Sequence, residues 1–563
     1  LAAAYGARRV AETGGRDVDV MVLERDSEVG GKARSLREDG WLVEAGPGGF
    51  LDNEPAMHSL IAAAGLESEM VRASQAAAAR YVVRKGRARL VDPHPLPFIR
   101  SGLLGPSGLM RLAGEVFVPR RRDDADETVW NFAARRIGRQ AADRLIAPMV
   151  LGVFAGDARR LSLPAAFPRL AELEGDYGSL LRGMLALRKA GKSARTSGRD
   201  AAAASGGPTG PSGRLTSFRE GLQSLPLALA GLGGLTTRCD TEVERLQRIE
   251  FGARSQGWRL AVRGAPPVDA DAVVLAGEPW AMAELLEPLS SQAALCLREI
   301  ACPPVAVVAL GFGAESLARV PKGFGALIPR GEGYRILGCL WETHLFEGRS
   351  PQGCLLIRMM LGGAVDPDAG ELGDEELIAT ARADLRSLFA VSETPRFLRV
   401  VRWPRAIPQY ELGHLRRVAC IEAECSRLAG VSITGNALHG VAFAKAAAAG
   451  LACGEEAMRG LLSRSVLESG RFVALDETTR LGGGRRRLVG ATLGRPRRSF
   501  VEHDMGVDIN FVVYMDEAKG RRSGQSEFFQ GDGKIGVERG FVVVHLPAAN
   551  GCRRFAGRST NFQ

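Results

Sequence analysis

An acid closes an apolar run near the start of this chain, and a glycine pair follows six residues later. Val18, Val20, Val22 and Leu23 form the run, Glu24 ends it, Arg25 comes next, and Gly30, Gly31, Lys32 and Arg34 follow. A β-branched run of this kind reads as a buried parallel strand. A carboxylate at the end of such a strand can accept hydrogen bonds from ribose hydroxyls, while nearby glycines let backbone N–H groups approach phosphate. Lys32 and Arg34 add positive charge, and a second glycine cluster, Gly46-Pro47-Gly48-Gly49, lies just downstream. The stretch 18–50 is therefore predicted to be a nucleotide site. The competing reading is an ordinary strand and turn with a solvated basic flank.

The elements that must position this stretch can be read around it. Residues 1–13 are Ala-rich and predict a helix. A strand and a Gly-x-Gly-x-x-Gly loop would ordinarily come before such a helix. Their absence predicts either a fragment that lacks its first dozen or so residues or a chain without the pyrophosphate cradle; the fragment is favoured. Residues 54–65 predict a helix and 80–90 a hairpin. Apolar residues with basic flanks over 98–122 suit a membrane surface or a packed helical layer. One amphipathic helix is expected over 128–145, with Trp130, Phe132, Ile137 and Leu145 toward a core, and a low-complexity linker over 191–213. Strand patterns recur between residues 241 and 435 and suggest a second, antiparallel sheet. One helix is predicted over 371–389 and another over 441–461. Beyond about residue 465 the chain is basic and Gly-rich, with isolated strand patterns at 509–514 and 541–546 that fit no fold by themselves.

The 563 residues allow two to four domains, and 45% hydrophobic with 25% charged residues is ordinary for a folded protein. A net charge of +10 admits anionic membranes, nucleic acid or an acidic substrate without choosing among them. Aromatic interleaving in the basic tail is sparse, so a solvated tail is expected and no nucleic-acid partner. Nine cysteines without a Cys-x-x-Cys pair or zinc-ligand spacing indicate neither a disulfide framework nor a structural metal, and suit a reducing compartment. No apolar run approaches the ~20 residues needed to span a bilayer. A cytoplasmic protein, peripheral on the inner membrane face at most, is expected.

Several segments together resemble the oxygen-dependent protoporphyrinogen oxidase family, within the flavin amine oxidase-like superfamily. They are Glu24 through Ser35, Gly152-Val-Phe-Ala-Gly-Asp157 with Leu161-Ser162, Phe218 to Pro226, Gly323 to Arg330, Ile407 to His414 and Gly435-Asn-Ala-Leu-His-Gly-Val441. The resemblance covers residues 1–461. It implies an α/β fold: a doubly wound FAD-binding domain (1–75, 206–282, 401–464), a mixed-sheet substrate domain (76–91, 283–400) and a helical membrane-associating lobe (92–205). Residues 465–563 have no counterpart.

The implied activity is the six-electron oxidation of a porphyrinogen to a porphyrin, with FAD as cofactor and molecular oxygen as acceptor, and a homodimer is an open expectation. Protoporphyrinogen IX is the leading substrate; coproporphyrinogen III, another amine oxidase- or carotenoid desaturase-like reaction, and a cofactor-free fragment without turnover are the alternatives. By the resemblance, Glu24 and Arg25 lie at the adenosine ribose, and Gly30, Gly31, Lys32 and Arg34 near the phosphates. Gly46, Pro47, Gly48 and Gly49 run along the flavin, and Val243 meets the adenine. Gly435, Asn436, Val441, Ala442 and Phe443 close over the isoalloxazine. Arg80 would pair a propionate, Leu327 and Phe346 would sandwich the tetrapyrrole, and Gly152 and Gly156 would allow close approach. No side chain presents itself as a general base.

Overall fold

The computed structural model describes residues 1–123, 125–196, 213–251, 255–469, 509–515 and 541–544. The apolar run 18–24 forms the strand Val18–Glu24 at one edge of a five-stranded sheet. Next come Ile509–Met515, Phe541–Val544, Ala272–Leu275 and Val431–Ile433, and every pairing is parallel. Strands drawn from both ends of the chain thus form one layer, and the tail segments that fit no fold in sequence are paired here.

Alternate residues of this sheet face opposite cores. Val20, Val22 and Val274 join the helices Ala2–Thr13 and Phe443–Ser469, while Leu23, Val273 and Leu275 face the helices Pro279–Leu286, Ser291–Arg298 and His414–Ser426. Burial on both faces is what a continuous apolar strand requires. The two helices of the first face approach unusually closely. A side chain at Gly454 would run into the backbone of Ala3, and one at Gly6 into the carbonyl of Leu451.

A seven-stranded sheet forms the second layer system, in the order Phe397–Trp403, Val305–Phe312, Leu355–Gly362, Gly338–Trp341, Gly325–Leu327, Arg80–Arg84 and Arg87–Leu90. Its pairings are antiparallel except that between Arg80–Arg84 and Gly325–Leu327. The helix Asp374–Phe389 covers one face through Leu377, Ala381 and Leu385. Against the other lie the strand Trp41–Glu44, Ala45 and the helix Ala147–Phe154, so residues 41–45 pack directly on this sheet.

Several expected elements differ. The single helix over 128–145 is broken: Val129–Arg136 stops before Gly138, whose φ of 91° favours glycine, and a π turn over Ala142–Ile146 leads into Ala147–Phe154. Phe132 is still buried, with Trp130 and Ile137 packed at the edge of the same cluster. The helix expected over 371–389 begins three residues later, as Asp374–Phe389 with Gly373 at its N-cap, and Glu371 instead closes the short helix Pro367–Glu371. The helix Leu180–Thr196 enters the stretch expected to be a linker, and residues 197–212 lie outside the described residues. In 98–122 the chain forms short turns of helix, with Leu103 and Leu104 buried and Ile99, Met110 and Phe117 exposed.

Candidate active site

The strand Val18–Glu24 delivers its terminal acid into a closed corner. Glu24 is 1% exposed, and its Oε1 accepts a hydrogen bond from the Asp26 N–H at 2.9 Å. The Thr241 N–H donates to the Glu24 carbonyl at 2.8 Å, and the Asp240 N–H to that of Asp26 at 2.9 Å. These bonds bring Val243, two residues on, beside the acid, and Arg25 lies 3.7 Å from Glu242. The start of the helix Ala2–Thr13 reaches the same corner, where Ala3, Ala4 and Ala7 pack on Val20 and Val22 of the strand. A helix N-terminus and a strand-end acid converging here can receive phosphate and ribose respectively.

Gly30 and Gly31 adopt φ of 116° and 55°, a turn that glycine makes without strain. The two cations beside them already have carboxylate partners: Lys32 pairs with Glu278, and Arg34 with Asp26. Glu278 is buried, which raises its carboxyl above the usual range while Lys32 opposes that rise. Lys32 also lies 5.7 Å from the centroid of Trp280.

The second half of the site is built of backbone. Gly46 packs so closely on the Lys32 carbonyl that a side chain would overlap it, and a Cβ at Gly49 would lie 2.7 Å from the Thr216 carbonyl and 3.2 Å from Phe346. Pro47 and Gly48 complete this half-buried turn. Across the site, Gly435 has φ of 137°, and the adjoining Thr434 hydroxyl is buried without a hydrogen-bond partner among the described residues. The Asn436 carbonyl accepts the Tyr410 hydroxyl at 2.5 Å, and Val441 packs on the cluster that holds Tyr410. Ala442 is exposed, and Phe443 opens the long helix with its ring 6.2 Å from that of Phe50. A strand-end acid, two glycine-lined turns, an unsatisfied hydroxyl and helix N-termini at both ends fit an elongated dinucleotide such as FAD.

The residues carried over for substrate fall into two groups. Gly152 and Leu327 meet: a Cβ on Gly152 would lie 2.8 Å from a Leu327 methyl. Arg80 is on the neighbouring strand, paired with Gly325, and its guanidinium sits 5.3 Å from the Phe324 ring. Phe346 is 2% exposed and packs with Ala77, Leu345 and Gly49, a cluster separate from Leu327. Gly156 abuts Gln409, whose amide donates to the Phe154 carbonyl at 2.8 Å. A cavity of about 340 Å³ opens beside Gly156, lined also by Trp130, Leu151, Arg159 and Arg330.

Sequence reasoning missed four buried charges behind the 46–49 turn: Glu44 (1% exposed), Glu342 (1%), Arg349 (1%) and Arg358 (4%). Arg358 Nε donates to Glu342 Oε1 at 2.6 Å, and Arg349 Nη1 lies 3.3 Å from Glu44 Oε1. Ser35 and the Leu222 N–H also donate to Glu44, at 2.7 and 3.0 Å. Burial raises the Glu44 carboxyl, and Arg349 opposes that rise. A signal existed: Leu355-Leu-Ile-Arg-Met-Met-Leu holds one charge within an otherwise apolar strand, and a charge is almost never fully buried unless paired. Also unanticipated is the stack of His414 on Tyr410, with centroids 4.0 Å apart.

With this geometry in place, comparison with known proteins assigns the class. Residues 5–457 match the family of flavin containing amine oxidoreductases, and the chain belongs to that family. It is an FAD-dependent oxidoreductase with the α/β FAD-binding architecture of that group. Among curated relatives, coproporphyrinogen III oxidase of Bacillus subtilis (strain 168) is 28% identical over 480 residues, covering 82% of this chain and 96% of that protein. Protoporphyrinogen oxidase 1, chloroplastic, of Arabidopsis thaliana is 30% identical, covering 76% of this chain and 80% of that protein. A solved structure described as a candidate protoporphyrinogen oxidase, from Exiguobacterium sp. 255-15, superposes with a TM-score of 0.66 at 22% identity, over 84% of this chain and 96% of the other.

Proposed function

We propose that this protein oxidises a porphyrinogen, protoporphyrinogen IX or coproporphyrinogen III, to the corresponding porphyrin. The observation that carries the reading is the pairing of a strand-end acid and glycine turns suited to a dinucleotide with relatives named for both reactions, each matched over most of its length. FAD would supply the electron-accepting chemistry, and molecular oxygen would be the final acceptor.

The chain's own residues bind and orient. Glu24 would hold the ribose, with Arg25 and Val243 beside it. The turns around Gly30 and Gly31 would flank the phosphates, and Lys32 and Arg34, each held by a carboxylate, would shape those turns. Gly46 to Gly49, with Gly435, Asn436 and the 441–443 turn, would frame the ring end. On the substrate side, Arg80 offers a planar fork for a propionate, and Leu327, Gly152 and Gly156 offer apolar or close-approach surface, while Phe346, buried against Gly49, would act only through the turn it supports. Positioning is the main demand on such a site, since no titratable side chain is needed to carry the electrons. We read residues 1–75, 206–282 and 401–464 as the FAD domain, 76–91 and 283–400 as the substrate domain, and 92–205 as the lobe between them and a membrane surface.

The test is direct. Purified protein with added FAD should show flavin absorbance, and that flavin should bleach anaerobically with protoporphyrinogen or coproporphyrinogen but not with amines. Failure to take up FAD would sink the reading. Relative bleaching rates with the two porphyrinogens would assign the substrate.

Among the described residues no helix is long and apolar enough to cross a membrane. Leu96, Ile99, Met110 and Phe117 are nevertheless 57, 50, 71 and 85% exposed on one stretch of chain, which supports an interfacial role. Arg121 is paired with Asp123 at 2.6 Å, and Arg120 donates to the Gly175 carbonyl at 2.9 Å. Contact with anionic lipid should therefore rest more on the apolar side chains than on this basic run. Sedimentation with anionic liposomes should fall on replacing Met110 and Phe117 by serine; unchanged sedimentation would remove the lobe from the membrane.

A further inference from the structure

The Gly46–Gly49 turn needs an anchor, because glycines order a close approach but cannot hold it. Three successive carbonyls at its entrance are each fixed by a side chain from the seven-stranded sheet. Arg358 Nη1 donates to the Glu44 carbonyl at 3.1 Å and also to the Gly46 carbonyl. Between them, the Ala45 carbonyl accepts the Trp403 indole N–H at 2.7 Å. A Cβ on Gly48 would lie 2.6 Å from Arg358 Nη2, so the guanidinium is also packed under the turn.

Arg358 has almost no freedom of its own. Its Nε is held by Glu342, which begins the short helix Glu342–Leu345 immediately after the neighbouring strand Gly338–Trp341. Glu342 Oε2 is buried and has no hydrogen-bond partner among the described residues, so the bond this carboxylate makes there through a side chain is the one to Arg358. Burying two ions costs several kcal/mol of desolvation unless their geometry and remaining bonds compensate. An apolar pair would pack the same volume without that cost. What it could not do is donate hydrogen bonds across the domain boundary to alternate carbonyls.

We propose that Arg358, oriented by Glu342, is a positioning residue that sets the backbone path of residues 44–48 against the flavin. This rests on the reading of that turn as the flavin edge. Arg358 does not touch substrate; its effect passes through the turn. A guanidinium can bond two carbonyls and a carboxylate at once, which a lysine ammonium on its flexible stem cannot reproduce in the same plane.

The experiment compares wild type, Arg358→Met, Arg358→Lys and Glu342→Gln in the full chain. Hydrogen exchange without added FAD reads the turn itself. Amides of 44–50 should exchange about tenfold faster or more in both arginine variants, the scale expected for losing one charge-assisted bond. Amides of the strand Val305–Phe312 should keep wild-type rates, and Glu342→Gln should fall between. Should Arg358→Met fail to fold, the lysine variant decides. Equal exchange at 44–50 in a folded Arg358→Lys overturns the proposal. FAD titration supplies the second readout: the dissociation constant should rise about tenfold in the arginine variants, with the visible bands of bound flavin altered. Faster exchange with unchanged flavin affinity and spectrum would reduce Arg358 to a purely structural role and overturn the positioning claim. Wild-type protein that takes up no FAD would instead sink the flavin reading, and exchange alone would then judge whether Arg358 pins the turn.

Discussion

The parallel sheet buries Ala272–Leu275 on both faces and the seven-stranded sheet buries Val305–Phe312 likewise, yet the two sheets place charge in opposite ways. In the first, the buried acid, Glu24, stands at the end of its strand, in a closed corner beside a helix N-terminus and the Gly30-Gly31 turn. In the second, Arg358 stands within the strand Leu355–Gly362 and is bonded to Glu342 and to the carbonyls of Glu44 and Gly46. A strand-end charge faces the crevice where ligands of α/β sheets bind. A mid-strand charge must be satisfied inside the protein, so it can position but cannot meet a substrate.

The sharpest way to break this contrast is to strand one of the buried charges. Arg349→Met would leave Glu44 without its cation, and the expected loss is about 3–5 kcal/mol in urea unfolding. The exposed pair Arg298–Glu287 is the control, with a loss of about 0–1 kcal/mol on Arg298→Met. Equal losses would erase the distinction between the buried network and surface pairs.

A smaller effect is expected from pH. His414 is buried against Tyr410, and burial, reinforced by Arg417, lowers it from its ordinary 6.5 to about 4. The unfolded chain then binds the extra proton first, so stability is full above about pH 6.5 and falls as the pH drops toward 4. The loss from this group is at most about 3 kcal/mol. A His414→Phe variant keeps the stack and should flatten melting temperature across that window; an unchanged slope would assign the acid sensitivity elsewhere.

The smallest expected effect tests how the parallel sheet is covered. Gly454→Ala places a methyl against the Ala3 backbone and should cost about 1–3 kcal/mol through overpacking. Gly460, which has open space around it, should accept alanine without loss. Similar melting temperatures for the two variants would mean that the helices can separate freely.

Much of the fold was legible because burial leaves a periodic trace. The run Val18–Glu24 and the strand at 305–312 are apolar over the length that a buried strand demands, and the hairpin at residues 80–90 is marked by the Lys85-Gly86 turn between its two strands. The break at Gly138 and the restart at Gly373 were not read, since a glycine inside an amphipathic pattern signals a stop only when its φ is known. The tail strands at residues 509–515 and 541–544 were recognisable as strands, but their place depended on partners almost 500 residues away. The candidate site divided similarly. Glu24 and the glycines stand out by type and spacing, whereas Glu44, Glu342, Arg349 and Arg358 become one network only when strands from two sheets are brought together.

Taken alone, the sequence determined that an acid ends a buried strand, that glycine turns follow it, and that the order of motifs is that of a flavin-dependent oxidase. These are local facts, fixed by side-chain chemistry and short-range periodicity. Tertiary structure decided which cations are neutralised by carboxylates, which carbonyls are held, and that the 46–49 turn is gripped from the opposite sheet. Those outcomes depend on contacts between residues hundreds of positions apart, and on burial, which turns an ordinary arginine into a fixed anchor.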